Sequence, residues 1–137
     1  MTLDLSRREF RRLLDLVYVG NWIMNAERTG KERIQEYDEL QSKLFAEGAA
    51  ADMPKLVNII EGQAFPSRAF TEGGIHEAIM AYEDVAFFEI LAEELARRDM
   101  GFPPIGEDNV EELGNRIDAY IAEFETNGIE KLTIEAS

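Results

Sequence analysis

Residues 75 to 100, IHEAIMAYEDVAFFEILAEELARRDM, contain neither glycine nor proline and place apolar side chains on nearly every side of a helical wheel. Ile75, Ile79, Tyr82 and Ala86 line one flank. Phe88, Leu91, Ala92 and Leu95 line a second, and Phe87 with Ile90 a third. An ordinary surface helix has one apolar stripe. A helix that is apolar all round is enclosed by other helices, or buries a further face against another copy of the chain. This stretch therefore predicts a buried central helix, with homodimerisation as the outlet for surplus apolar surface.

The remaining punctuation is helical too. Ser6-Arg7-Arg8-Glu9 has capping-box form and opens a helix to about Glu27, with Phe10, Leu13, Leu14, Val17 and Met24 on one stripe. Thr29-Gly30-Lys31-Glu32 repeats the form and opens a helix ending near Gly48, with Ile34, Tyr37, Leu40, Leu44 and Phe45 inward. Asp52 before Met53-Pro54 predicts a shorter helix carrying Leu56, Val57, Ile59 and Ile60 and stopping near Gly62. Residues 62 to 74 are a loop that Phe65 and Phe70 pin to the core. After GFPPIGED, where two prolines break the chain, Asp108 caps a last helix that ends at Asn127-Gly128. The tail, with Leu132 and Ile134 in alternation, is irregular or pairs with a second copy, since a lone strand has no partner among helices. The expected fold is all-α: a single domain over residues 1–137, a bundle of about five helices around residues 75–100.

Composition narrows the function. At 45% hydrophobic, the 137 residues are enough for one real core. The absence of cysteine removes disulfides, zinc thiolates and thiol nucleophiles, and suits a reducing compartment. MTLDLSRREF begins with charged residues where a signal peptide would be apolar, and no run nears the ~18 apolar residues of a membrane span. A soluble, cytoplasmic protein with no membrane role is expected. Its net charge of −14, from 28 acids against 14 bases, disfavours nucleic acid and suits a basic protein partner. Arg7, Arg8, Arg11 and Arg12 are the local exception. They form a solvated face, with Arg11 paired to Asp15, or a dock for an acidic partner.

Two sets of residues are candidates for chemistry, and no catalytic residue is assigned. His76 is the only histidine, and Glu83 lies on the same line of the helix about 10 Å further along. A metal there needs ligands from another helix, and Glu36 and Glu39 could supply them. Carboxylates with one imidazole would favour Mg²⁺ or Mn²⁺ over zinc. The alternative to a metal is an ordinary first-turn histidine and a solvated acidic face, in which case no cofactor is implied. The second set is Asn21, Trp22 and Asn25. Asn21 projects onto the stripe of Phe10, Leu14 and Val17, so its amide must find buried partners. Gly20, at a cost of about 1 kcal/mol within a helix, suggests close approach by another backbone or a ligand. The three residues would then line a small-molecule pocket.

Glu36-Tyr37-Asp38-Glu39 resembles the ExxE motif of all-α nucleotide pyrophosphohydrolases. That resemblance implies Mg²⁺-assisted hydrolysis of phosphorylated small molecules. The family's downstream ExxD has no counterpart after residue 39. LLDLVYVGNWIMNAER (13–28) and YEDVAFFEILAEELARRDM (82–100) resemble a group of small bacterial all-helical proteins. This resemblance implies a compact helical domain and carries no activity with it. The leading expectation is a self-associating interaction or regulatory module, with the metal-dependent hydrolase as the alternative.

Overall fold

The computed structural model of the protein describes residues 1–135, and the last two residues of the tail lie outside this range. Four helices and one two-stranded antiparallel sheet make up the regular structure: α1 (Arg7–Met24), α2 (Gln35–Ala50), β1 (Val57–Ile60), β2 (Gln63–Pro66), α3 (His76–Asp99) and α4 (Val110–Asn127). The protein is mostly helical, yet neither all-α nor five-helical. Contacts group into two compact units that divide within α3, after Ile79.

In the first unit α1 begins as its sequence dictates. The Glu9 amide donates to Ser6 Oγ (3.1 Å) and the Ser6 amide to Glu9 Oε1 (3.0 Å), a reciprocal capping box. The Ser6 bonds favour the ionised form and hold the Glu9 carboxyl below its ordinary range. The second cap does not form. Thr29 makes no side-chain cap bond and precedes only a 3₁₀ turn, Gly30–Glu32, because Gly30 turns left-handed at φ 54°. The start of α2 moves to Gln35, with Ile34 as its N-cap.

The third expected helix is also overturned. A 3₁₀ turn at Pro54–Leu56 leads into β1, which pairs with β2 in the register Val57–Pro66 to Ile60–Gln63. Val57, Ile59 and Ile60 are β-branched and stiff at χ1, which favours a pleated strand over a helix. Between the strands lie only Glu61 (φ 52°) and Gly62 (φ 81°), a pair of left-handed residues that matches a tight I′-type hairpin turn. Gly62 is thus half of the reversal and not the stop of a helix.

Leu14, Phe45, Val57, Ala64 and Phe70 form the buried core of this unit. Phe70 meets Phe45 edge-on at 4.9 Å and Tyr18 at 5.3 Å, so it does pin the segment after the hairpin, whereas Phe65 remains exposed. Ser67 fixes the approach: its hydroxyl donates to the Lys55 carbonyl (2.6 Å) and accepts from the Phe70 amide (3.2 Å). A wide turn at Thr71–Ile75, with Gly74 at φ 113°, then precedes α3.

The second unit is a helical hairpin. The α3 helix closes in a Schellman motif, with the Phe102 amide on the Arg97 carbonyl (2.8 Å) and the Gly101 amide on that of Arg98 (2.9 Å). Ala92, Ala96, Leu113 and Phe124 are buried, and Phe88 packs on Phe124 at 5.4 Å. Tyr120 donates to the Asp99 carboxylate, which Arg98 also engages (2.8 Å). Those two bonds, Tyr120's first, hold Asp99 below the usual carboxylate range, and the Asp99 bond pushes the Tyr120 hydroxyl upward. The expected burial of the central helix is not met: Met80, Tyr82, Val85, Phe87 and Ile90 are all exposed. One α4 neighbour covers a single flank, and this helix has three. Residues 129 to 135 follow α4 as a turn and an irregular stretch with Leu132 and Ile134 exposed.

Candidate functional site

The end of α1 and the start of α2 are joined by a chain of polar side chains. Asn25 caps α1 and is buried. Its Oδ1 accepts from the Ile34 amide (2.8 Å), and its Nδ2 donates to Asn21 Oδ1 (2.6 Å). The Asn21 amide then donates across to Asp38 Oδ1 (3.0 Å) and Gln41 Oε1 (3.2 Å). Arg33 completes the chain with two bonds to Asp38, both 2.8 Å. The Arg33 bonds, aided by Asn21, outweigh partial burial and hold the Asp38 carboxyl below its ordinary range. Asn21 is therefore buried and bonded, as its place on the apolar stripe requires. Gly20 is not at the crossing. It faces open space, with nothing within 4 Å of where a Cβ would stand.

Asn21, Trp22 and Asn25 all line one cavity of about 280 Å³, together with Tyr18, Arg28 and Arg33. Both asparagine amides are committed to the network and the Tyr18 hydroxyl is bonded to His76, so the groups left to meet a guest are the Trp22 indole and the Arg28 guanidinium, the latter held only by a long bond to the Glu32 carbonyl (3.5 Å). Sequence reasoning found the two asparagines and missed Arg33, Asp38 and Gln41, which the reversal at Gly30 brings to them.

His76, the first residue of α3, is engaged within the first unit: its Nε2 lies 2.6 Å from the Tyr18 hydroxyl, with the rings edge-to-face. Burial pushes the Tyr18 hydroxyl upward. Glu36 and Glu39 are exposed on α2, one turn apart, and Glu39 borders an open groove with Asp38 and Lys43. Glu83 is exposed on the part of α3 that belongs to the second unit. Among the described residues no three His, Asp or Glu side chains gather as metal ligands.

A wider concavity lies elsewhere in the first unit. Arg7, Arg8, Arg11, Arg12 and Lys55 border a groove of about 920 Å³, floored by Met53, Pro54 and Leu56. Among the described residues Asp52 is the one carboxylate that lines it. No helix among the described residues is long and apolar enough to cross a membrane. No protein-family profile, curated protein or solved structure is detectably similar to the chain.

Proposed function

We propose that this chain is a small self-associating protein-interaction module whose copies pair through α3. The observation behind the proposal is the seam Ile79, Tyr82, Ala86 and Ile90, which recurs at intervals of three, four and four residues. At 100° per residue it occupies an arc of about 80°, free of charged residues over that length. Ile79 is buried, whereas Tyr82 and Ile90 are 67% and 60% exposed, with half-buried Ala86 between them. Laid antiparallel, two such seams set Tyr82 of each copy against Ile90 of the other. The small Ala86 then sits on the two-fold axis, where it permits close approach, and the contact is isologous.

Met80 and Phe87 lie beyond one edge of the seam and Val85 beyond the other, all three exposed, so apolar surface extends past the seam on both sides. Two hairpins joined this way form a four-helix arrangement, the usual solution for helices with more than one apolar face. The acidic exterior left outside limits further association and carries the charge a basic partner would recognise.

Ala86→Cys tests the pairing directly, because the chain has no other cysteine. Under mild oxidation this variant is expected to cross-link into a disulfide-bonded dimer, and Glu111→Cys, on α4, is expected to form no such cross-link. Equal cross-linking of the two variants would show random collision and remove the α3 seam from consideration.

A further inference from the structure

The basic groove of the first unit has no role in self-association through α3, and its composition departs from that of the chain. Five of the 14 basic residues border it, against the single carboxylate of Asp52, in a protein of net charge −14. This concentration is held in place. Arg7 donates to the Asp52 carbonyl (3.0 Å), clipping the start of α1 to the turn that leads into β1. Asp52 presents that carbonyl from a left-handed backbone, φ 65°. Arg11 lies over the Phe70 ring at 4.8 Å and pairs with Asp15 at 2.7 Å, which keeps its stem against the core. Asp15 also receives the more distant Arg12 (3.5 Å), so one carboxylate serves two guanidinium groups. Among the described residues Arg8 and Lys55 have no carboxylate partner.

We infer that this groove is the docking site for an extended acidic polypeptide segment of a partner protein. Three features select that occupant. Arg8 and Arg12 are one helical turn apart, about 6 Å along the axis. Alternate side chains of an extended peptide repeat at about 6.6 Å, so carboxylates at every second position match this pair in register. The floor of Met53, Pro54 and Leu56 supplies apolar surface that a peptide side chain can cover and a simple anion cannot. Finally, a groove of about 920 Å³ is far larger than one phosphate group and is open along its length. Guanidinium groups can grip carboxylates through two parallel bonds, which favours Arg over Lys for most of the wall.

The test is fluorescence anisotropy with the full chain and a labelled peptide bearing glutamate at every second position, with leucine and serine between. A second peptide carries glutamine in place of every glutamate, and a third probe is single-stranded DNA of similar length. The acidic peptide is expected to bind, to weaken with added salt, and to bind at least about tenfold better than its glutamine counterpart. Arg8→Glu combined with Lys55→Glu should weaken it at least about tenfold, with far-UV circular dichroism and the unfolding midpoint unchanged. Among the described residues neither side chain makes a hydrogen bond, so the double variant is expected to remain folded. Equal binding of the acidic and glutamine peptides would overturn the inference, as would equal binding by the double variant. Tighter binding of DNA than of the acidic peptide would also overturn it, and would mark the groove as a phosphate-backbone site.

Discussion

Replacing Asn25 with alanine removes one of the bonds that tie the end of α1 to the start of α2. The Ile34 amide loses its acceptor at 2.8 Å, and Asn21 Oδ1 loses its donor at 2.6 Å. Asn25 is 3% exposed, so water cannot replace either bond without rearrangement. A buried polar group left unpaired costs about 1–3 kcal/mol, and two such groups set the expected loss at about 2–6 kcal/mol. That is a large share of the ~5–15 kcal/mol that holds a typical domain together. Urea titration followed by circular dichroism measures it, and the thermal midpoint should fall by about 10 °C. Asn25→Asp sharpens the test. Its carboxylate still accepts from Ile34, but a second oxygen now faces Asn21 Oδ1 where the amide nitrogen stood. The carboxyl of this variant would be pushed above its unfolded value, so relative to wild type its cost is absent below the unfolded pKa and appears as pH rises through the raised one. A loss within ~0.5 kcal/mol for Asn25→Ala, the range of ordinary surface changes, would refute the role given to the network.

Gly20→Ala is expected to stabilise the protein by about 1 kcal/mol, because the position is helical, exposed and open, and calorimetry should show the rise. Destabilisation would mean that something does approach Gly20. The Asp38 carboxyl is held down by Arg33, so the stability it contributes is present above its unfolded pKa and is lost as pH falls through the lowered one. Wild type should therefore lose more stability than Asp38→Asn as pH falls through the carboxylate range, and parallel profiles would contradict this. With Glu36, Glu39, His76 and Glu83 ungathered, millimolar Mg²⁺ or Mn²⁺ should leave the unfolding midpoint of chelator-treated protein unchanged. A rise abolished by Glu36→Gln or His76→Ala would favour the hydrolase.

Local signals were legible and distant ones were not. The Ser6–Glu9 capping box depends on four consecutive residues and forms as written. Asn21 was recognisable because its place on an apolar stripe required polar partners, although nothing identified Asp38 and Gln41 as those partners. Their arrival depends on the left-handed turn at Gly30, whose consequence is not local. The hairpin was misread because Pro54 after Asp52 imitates a helix start. The stronger signal was the β-branched run before the two-residue Glu61-Gly62 reversal. For α3 the pattern revealed an excess of apolar surface but not where it is covered, because periodicity records need and not supply. The groove was visible only as four arginines. Lys55 and the apolar floor come from a turn more than forty residues away.

Sedimentation equilibrium of the purified chain and of Ile90→Glu is the most direct test of pairing through α3. Wild type should approach twice the chain mass of 15.6 kDa, with tighter association at higher salt as the repulsion between acidic copies is screened. Ile90→Glu, altered at an exposed side chain, should remain folded and sediment as a monomer. A wild-type monomer at every concentration and salt would contradict the account, as would a dimer that Ile90→Glu leaves intact.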